Sequence, residues 1–392
     1  MKESGKGPAL LRLNNEKRIL TALRQQRITT RQDIAGHLAL SKNTVSLIID
    51  DLISREWVQE QGPLQVTSAG RPKIGIALCG GKLKAAGVMV ERHHIHLTVT
   101  DYLSEILEES SWPTETSDPA SVMAELRALC QALYQRHPEL LGIGLGFPGI
   151  VDPAAGYLHI SSHLGWHNVD IRSAFISWAG PPVHIMNYVR AAALQARTLD
   201  NPTEGASCFY LRIGEGIGGA LLLGNEIYSG SSWTAGEAGH LTVAEDPLCN
   251  CGKRGCLEAL IGLPAIEQQL AEKEAGLSWK TREQSPEKVD EVMQFAGHYL
   301  GKALSQIMLL LNPSTIVIDG PWNRHAAFRA AVERTARADT LAFTFSHTRL
   351  TFAEAPSRQH KAWRWRLLST TKHPLSDIKK ERLSPLSSFP AC

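Results

Sequence analysis

Apolar residues return at helical spacing through the first stretch of the chain, at Leu11, Ile19, Leu20 and Leu23, and predict an amphipathic helix. A second helix is expected from Thr30, because Thr30-x-x-Asp33 has the form of a capping box with the shorter acid, and Ile34, Ala35 and Leu38 supply an apolar face. Ala39-Leu40 read as a short turn, and Ser41 as the N-cap of a third helix running to about Arg55. Val45, Ile48, Ile49 and Leu52 share its buried side, which turns Asn43, Ser46, Leu47 and Asp50 outward. Two helices joined by a tight turn, the second with a small polar face near its start, form the helix-turn-helix pattern. Strand-like Trp57–Glu60 and Leu64–Val66 flank Gly62-Pro63, as the two sides of a wing would.

From Leu78 onward strands and helices alternate. Ala85–Val90 and Ile95–Thr100 read as neighbouring strands, Ser121–Arg136 as an amphipathic helix, and Leu141–Phe147 as a buried strand leading into Pro148-Gly149. A second round follows, with strands Phe209–Ile213 and Gly219–Leu223, helix Met293–Leu311 and strand Thr315–Ile318. Two similar α/β lobes with glycine loops at strand ends predict a ligand cleft between them.

Charge divides the chain more sharply than its net +2 suggests: residues 1–75 carry +5, residues 76–356 carry −9 and residues 357–392 carry +6. A basic head on an acidic body suits a protein that meets double-stranded DNA with its head. The expected contacts are Ser41, Lys42, Asn43, Ser46 and Leu47, joined by Arg71 from the extended Ala69-Gly70-Arg71-Pro72-Lys73 segment. That segment is slim enough for a minor groove, and it also reads as a plain linker. No apolar run approaches the roughly 20 residues of a membrane span. The N-terminus lacks a signal-type core, so no membrane association and a cytoplasmic location are expected.

Cysteine usage points to a metal. His240 with Cys249-x-Cys251 and Cys256 makes a Cys3His set that suits zinc, with no open position for catalysis. Cys249 and Cys251, with one residue between them, bond each other only with strain, which favours a metal over a disulfide; a redox cluster or free thiols are the other readings.

Five stretches together carry a resemblance: Gly144–Asp152 (GLGFPGIVD), Leu164–Asp170 (LGWHNVD), Gly214–Ala220 (GEGIGGA), Ala235–His240 (AGEAGH) and Cys249–Glu258 (CNCGKRGCLE). The chain resembles the ROK family of repressors, uncharacterised reading frames and sugar kinases over about residues 12–356. The resemblance implies a two-lobed actin-like ATPase fold preceded by a winged helix-turn-helix, and a repressor of sugar-uptake or sugar-catabolic genes. It assigns the same four residues to zinc. It also implies that Asn168, Asn187, Glu237, His240 and Glu258 contact a sugar. The residues themselves agree in part. A carboxylate can accept from two vicinal hydroxyls, and Glu237 and Glu258 flank zinc ligands that would hold them near one point, unless they are simply solvated acids.

Kinase chemistry is not expected. The family's kinases carry a catalytic Asp in an Asn-Asp-Ala-Asn stretch, which matches Asn187-Tyr188-Val189-Arg190 here and puts Tyr188 where that Asp belongs. A phenol with a pKa near 10 is a poor base at neutral pH. Their first phosphate motif, of Asp-x-Gly-Gly-Thr type, matches Met89-Val90-Glu91-Arg92-His93, which has lost the motif's leading acid and its glycines. Tyr188 is expected to stack on a sugar or to fill part of the pocket. The alternative functions are an active ATP-dependent sugar kinase with an appended DNA-binding domain, and a scaffold whose body no longer senses a ligand.

The expected divisions are 1–74 for the head with its linker, 75–190 and 191–356 for the lobes, and 357–392 for a basic tail that lacks the family's closing apolar helix. Tryptophan has one codon, and with CGN arginines Trp363–Arg366 would encode alternating apolar and Ala residues in another frame. A frameshift near Gln359–Lys361 therefore stands beside a genuine tail. Expected partners are operator DNA, a sugar or sugar-phosphate effector, a homodimer or homotetramer mate, and a further protein.

Overall fold

The computed structural model describes residues 6–64, 73–103, 105–199, 206–224 and 226–353. The expectations for the strand-like Leu64–Val66 beyond Leu64, for Arg71 with its extended segment, and for the tail from 357 fall outside them.

The head is built from helices Lys6–Gln26, Arg31–Leu38 and Lys42–Ser54. Thr30 caps the second, its hydroxyl accepting from the Asp33 amide at 3.2 Å and donating to the Asp33 carboxylate at 2.7 Å. Ala39 takes a left-handed conformation (φ 53°) that ends the helix, and Ser41 caps the third by accepting from the Thr44 amide at 3.0 Å. Ile19, Leu20, Leu23, Ile34, Val45, Ile48, Ile49 and Leu52 close the core between the helices. Leu11 differs from its expected place on the apolar face and is exposed. A 21-residue helix is about 30 Å long, and its first turns run past the end of the core.

The strands differ more. A single strand, Val58–Leu64, pairs antiparallel with Lys73–Leu78 and carries Gly62-Pro63 inside it. The register shifts between Glu60 and Gly62, where Gly62 takes φ 81°, so the strand bulges at Gln61 and runs on through Gly62 and Pro63, which pair with Gly75 and Ile74. Lys73–Leu78 crosses the expected boundary at residue 74 and belongs to the head's sheet, where it also pairs with Ile28–Thr29.

The body repeats one sheet plan twice. In the first lobe the strand order is Val183–Asn187, Leu140–Phe147, Lys84–Glu91, His94–Asp101, Ile106–Pro113. In the second it is Glu226–Tyr228, Ile217–Leu223, Ser207–Ile213, Thr315–Asp319, Arg349–Phe352. Each is an antiparallel meander of three strands continued by two parallel ones. Helix Pro119–Arg136 buries Val122, Leu126, Cys130 and Leu133 in the first core, and helix Pro286–Leu311 with Ala326–Asp339 fills the second.

Between Phe147 and Val183 the chain leaves the first sheet to make a small antiparallel one from Ile150–Asp152, Tyr157–Ser161 and Trp166–Asp170. Helix Tyr188–Leu199 then crosses to the second lobe, where Val189, Ala192 and Ala193 pack on Tyr210, Ala220 and Val317. Among the described residues no helix is long and apolar enough to cross a membrane.

Candidate metal centre and inter-lobe cleft

The metal-type residues meet as their spacing implies. His240, Cys249, Cys251 and Cys256 place their donor atoms within 4.8 Å of one another. Cys251 Sγ lies 3.6 Å from Cys256 Sγ, and Cys249 Sγ lies 3.8 Å from His240 Nδ1. A tetrahedron with metal–sulfur bonds of about 2.3 Å has edges of about 3.8 Å, so the set fits a zinc-sized ion. Backbone bonds hold the loop in this shape: Cys249 N to Lys253 O at 2.7 Å, Gly252 N to Cys249 O at 2.9 Å, and Val243 N to Gly255 O at 2.9 Å. Burial pushes the Cys256 thiol up to about 12 and raises Cys249, while the Lys253 amide lowers Cys251. Two buried thiols that resist ionising are suited to a cation that stabilises their thiolates.

The metal loop positions two carboxylates at the cleft. Glu258 follows Cys256 into helix Leu257–Ile261, and its Oε2 accepts from the Ile217 amide at 2.8 Å. That bond fastens it to the glycine loop Gly214–Gly219. Glu237 sits on the other side of His240. Desolvation raises its carboxyl above the usual range, while His240 and Arg190 pull it down and Glu258 adds to the rise. Gly236, at φ 98°, lies so close to Gly219 that a Cβ would meet the Gly219 carbonyl oxygen at 2.5 Å. The two loops can meet only with glycine at these points.

The asparagines stand on the first lobe. Asn187 is a backbone anchor: its Nδ2 donates to the Gly149 carbonyl at 2.8 Å, and its Oδ1 accepts from the amides of Val189 and Arg190 at 2.8 and 3.2 Å. Asn168 is exposed on the small sheet in a left-handed conformation (φ 54°). His163 of the same excursion is a residue that motif reading misses. A Cβ on Gly216 would lie 2.7 Å from its ring and 2.8 Å from Glu258 Oε2, so imidazole and carboxylate border the same glycine.

Tyr188 is half-buried at the start of the crossing helix, packed against Met186 and Ala191. Burial pushes its hydroxyl up to about 12, against the opposing influence of Arg212, whose guanidinium lies 5.8 Å from the ring centre. Arg212 also reaches Asp319 at 3.5 Å, and Asp319 accepts from the Tyr210 hydroxyl at 2.5 Å. Met89, at the position that matches the kinases' acid, is buried, and Glu91 is bonded to His96 at 3.1 Å.

With this geometry in view, the comparisons decide the family. The ROK family model matches residues 85–364, most of the chain. The chain belongs to the ROK family. Among curated relatives of this ROK chain, the xylose repressor of Bacillus subtilis is 26% identical over 313 residues, covering 78% of this chain and 81% of that one. The DNA-binding transcriptional dual regulator NagC of Escherichia coli is 28% identical over 312 residues, covering 74% and 76%.

Among solved structures, a ROK family transcriptional regulator described as a homolog of the E. coli MLC protein superposes with a TM-score of 0.77 at 21% identity, covering 94% of this chain and 97% of its own. A ROK hexokinase from Thermus thermophilus gives 0.59 at 25%, covering 71% and 97%. The kinase accounts for a body-sized part of this ROK chain, whereas coverage by the regulator is too large to omit the head.

On the outer side of the head, Ser41, Lys42, Asn43 and Leu47 are exposed and Ser46 is half-buried. Asp50 also faces out but is paired with Arg31 at 2.7 Å, which leaves the first two turns of the helix as its free polar face.

Proposed function

We propose that this ROK chain is a sequence-specific DNA-binding repressor of sugar uptake or catabolism genes, with a zinc-stabilised body that senses a sugar and performs no phosphoryl transfer. The observation that carries the reading is the joining of a capped, outward-facing helix Lys42–Ser54 to a ROK body. The head acts as a winged helix-turn-helix, with Ser41, Lys42, Asn43, Ser46 and Leu47 facing the major groove and Arg71 the neighbouring minor groove. Relatives named as xylose and N-acetylglucosamine repressors support both the DNA and the sugar side.

In the cleft, Glu237, His240 and Glu258 take sugar hydroxyls, and Asn168 and Asn187 complete the site from the first lobe. Zinc on His240, Cys249, Cys251 and Cys256 is structural. The protein works in the cytoplasm as a homo-oligomer, the usual way in which two heads read two half-sites.

Tyr188 carries the argument against a kinase. With its hydroxyl pushed up to about 12, it is protonated at neutral pH and takes no proton from an attacking sugar hydroxyl.

The test is a mobility shift at fixed salt with DNA from beside the gene, titrated with D-xylose, N-acetylglucosamine and N-acetylglucosamine 6-phosphate. Retardation relieved by one of them is expected. No retardation at any concentration below that of random DNA sinks the reading.

A further inference from the structure

Arg190 has no part in the zinc reading and stands where the kinase motif has its second Asn, yet it is only 6% exposed. It lies on the first turn of helix Tyr188–Leu199, and its own amide is capped by Asn187 Oδ1, so the guanidinium starts from a fixed point. Its Nη1 donates to Ser229 Oγ at 3.1 Å. Its Nη2 donates to the carbonyls of Trp233 at 2.6 Å and Ala235 at 3.3 Å. All three partners belong to one stretch, 229–235, which has no strand or helix of its own and runs directly into Gly236 and Glu237.

This stretch has a second tether on the first lobe. The Trp233 ring, on a residue in the left-handed region (φ 58°), stacks on His159 with centres 5.0 Å apart and planes 18° apart. His159 is in turn edge-on to Tyr157 at 5.1 Å. The strap 229–235 is therefore fastened at one side by the helix that crosses between the lobes and at the other by the small sheet. Its far end is fixed by the close approach of Gly236 to Gly219. Without the guanidinium, two carbonyls and a hydroxyl lose their donor at once, and the arm that presents Glu237 keeps the Trp233–His159 stack, the glycine contact and its own turn bonds, Ala235 N to Ser229 O and Glu237 N to Thr234 O, both at 3.3 Å.

We propose that Arg190 is a positioning residue for the effector pocket: through Ser229, Trp233 and Ala235 it holds the strap 229–235 in the one arrangement that presents Glu237 to a sugar. The proposal rests on the reading of Glu237 as a sugar-binding carboxylate. The residue type follows from the geometry, because a planar guanidinium serves three acceptors on divergent lines, whereas an ammonium on a shorter, flexible stem cannot hold all of them in the same directions.

The experiment uses the full, zinc-loaded chain and the variants Arg190→Gln and Arg190→Lys. Amide exchange followed by mass spectrometry should be about tenfold faster across 229–237 in Arg190→Gln and intermediate in Arg190→Lys, given the strength of charged hydrogen bonds. Segments 208–213 and 249–256 should keep their protection, and zinc content should stay unchanged. Calorimetric titration with D-xylose and with N-acetylglucosamine should show the sugar bound by the unsubstituted chain held about tenfold more weakly by Arg190→Gln, with partial recovery in Arg190→Lys.

Unchanged exchange in the strap, or equal acceleration throughout the second lobe, overturns the proposal. So does a loosened strap with sugar affinity kept within about twofold. If Glu237→Gln leaves binding of D-xylose, N-acetylglucosamine and N-acetylglucosamine 6-phosphate unchanged while the strap loosens in Arg190→Gln as described, the choice of Glu237 as a sugar ligand fails and the fastening of the strap by Arg190 stands.

Discussion

Asn43 stands exposed in the first turn of Lys42–Ser54, where a side-chain amide can donate to one edge of a base and accept from it. Its neighbours Ser41 and Thr44 are occupied with each other, the hydroxyls 2.8 Å apart, so Asn43 is the freer recognition group. Asn43→Ala should cost about 1–3 kcal/mol at a single base position and leave binding to random DNA nearly unchanged. A scan of operator variants by mobility shift reads this directly, and a uniform loss across all sequences would assign Asn43 to phosphate contact instead.

Tyr188 gives a second expectation at this scale. No ATP-dependent phosphorylation of glucose, N-acetylglucosamine or mannose should be detectable. Restoring a carboxylate by Tyr188→Asp should not recover activity, because the stretch Met89–His93 that matches the kinases' first phosphate motif still lacks its leading acid and its glycines. Turnover above about 1 s⁻¹ by the unsubstituted chain, within the ordinary kinase range, would revive the kinase reading.

Polar contacts between elements set how stability responds to pH and to metal. In the head, Asp33 joins the helix Arg31–Leu38 to strand Lys73–Leu78 through Lys73 at 3.1 Å. Its carboxyl is held below the ordinary 3.8 by the Thr30 hydroxyl first and Lys73 second. A depressed carboxyl stabilises the fold above its unfolded value and stops doing so as pH falls through the folded value. Asp33→Ala should therefore lower the melting temperature at pH 7, with the gap closing below about pH 4. Equal gaps at pH 7 and pH 3 would show that capping geometry and not charge is responsible.

In the metal loop, Cys251→Ser removes the one exposed sulfur and so disturbs the core least. Zinc should fall from one per chain to near zero and the melting temperature should drop by several degrees, since metal affinity is partly folding free energy. Zinc-free yet equally stable protein from the unsubstituted gene would falsify the structural role of the metal.

The same elements show what a sequence can and cannot disclose. Caps at Thr30 and Ser41, the buried row Val45-Ile48-Ile49-Leu52 and the closely spaced cysteines are local signals, and local chemistry decides them. Gly62-Pro63 misleads because a turn and a bulged strand use the same residues, and only the partner strand distinguishes them. His163, Arg190 and Arg212 carry no signal, since each acts on residues tens of positions away that only the folded lobes bring near. For Arg190, the unusual cost of burying an arginine is the sole hint, and burial at that position is not visible in the pattern.

At the scale of the molecule, the head and the first lobe share one core. Leu83, Tyr102 and Leu141 of the lobe pack with Ile19, Leu23, Ile76 and Leu78 of the head, and Arg27 reaches Glu105 at 3.7 Å. Tyr102 is nearly buried, and burial pushes its hydroxyl up to about 12 while Arg24 acts in the opposite direction. From this contact two parallel strands run to the cleft. Lys84–Glu91 starts beside Leu83 and ends at Glu91, and Leu140–Phe147 starts beside Leu141 and ends at the loop whose Gly149 carbonyl binds Asn187.

Eight extended residues span about 26 Å, so these strands offer a stiff route by which a shift at the cleft would reach the head. If sugar and DNA are linked in this way, the factor by which sugar weakens DNA binding must equal the factor by which DNA weakens sugar binding. Tyr102→Ala empties the joint at a cost typical of a buried aromatic, about 3–5 kcal/mol, and should leave each ligand bound while the mutual factor falls toward one. Tyr102→Phe keeps the ring and should retain most of it. Calorimetry of sugar binding with and without operator measures both factors in one protein. An unchanged factor in Tyr102→Ala would mean that the signal passes between protomers and not along these strands.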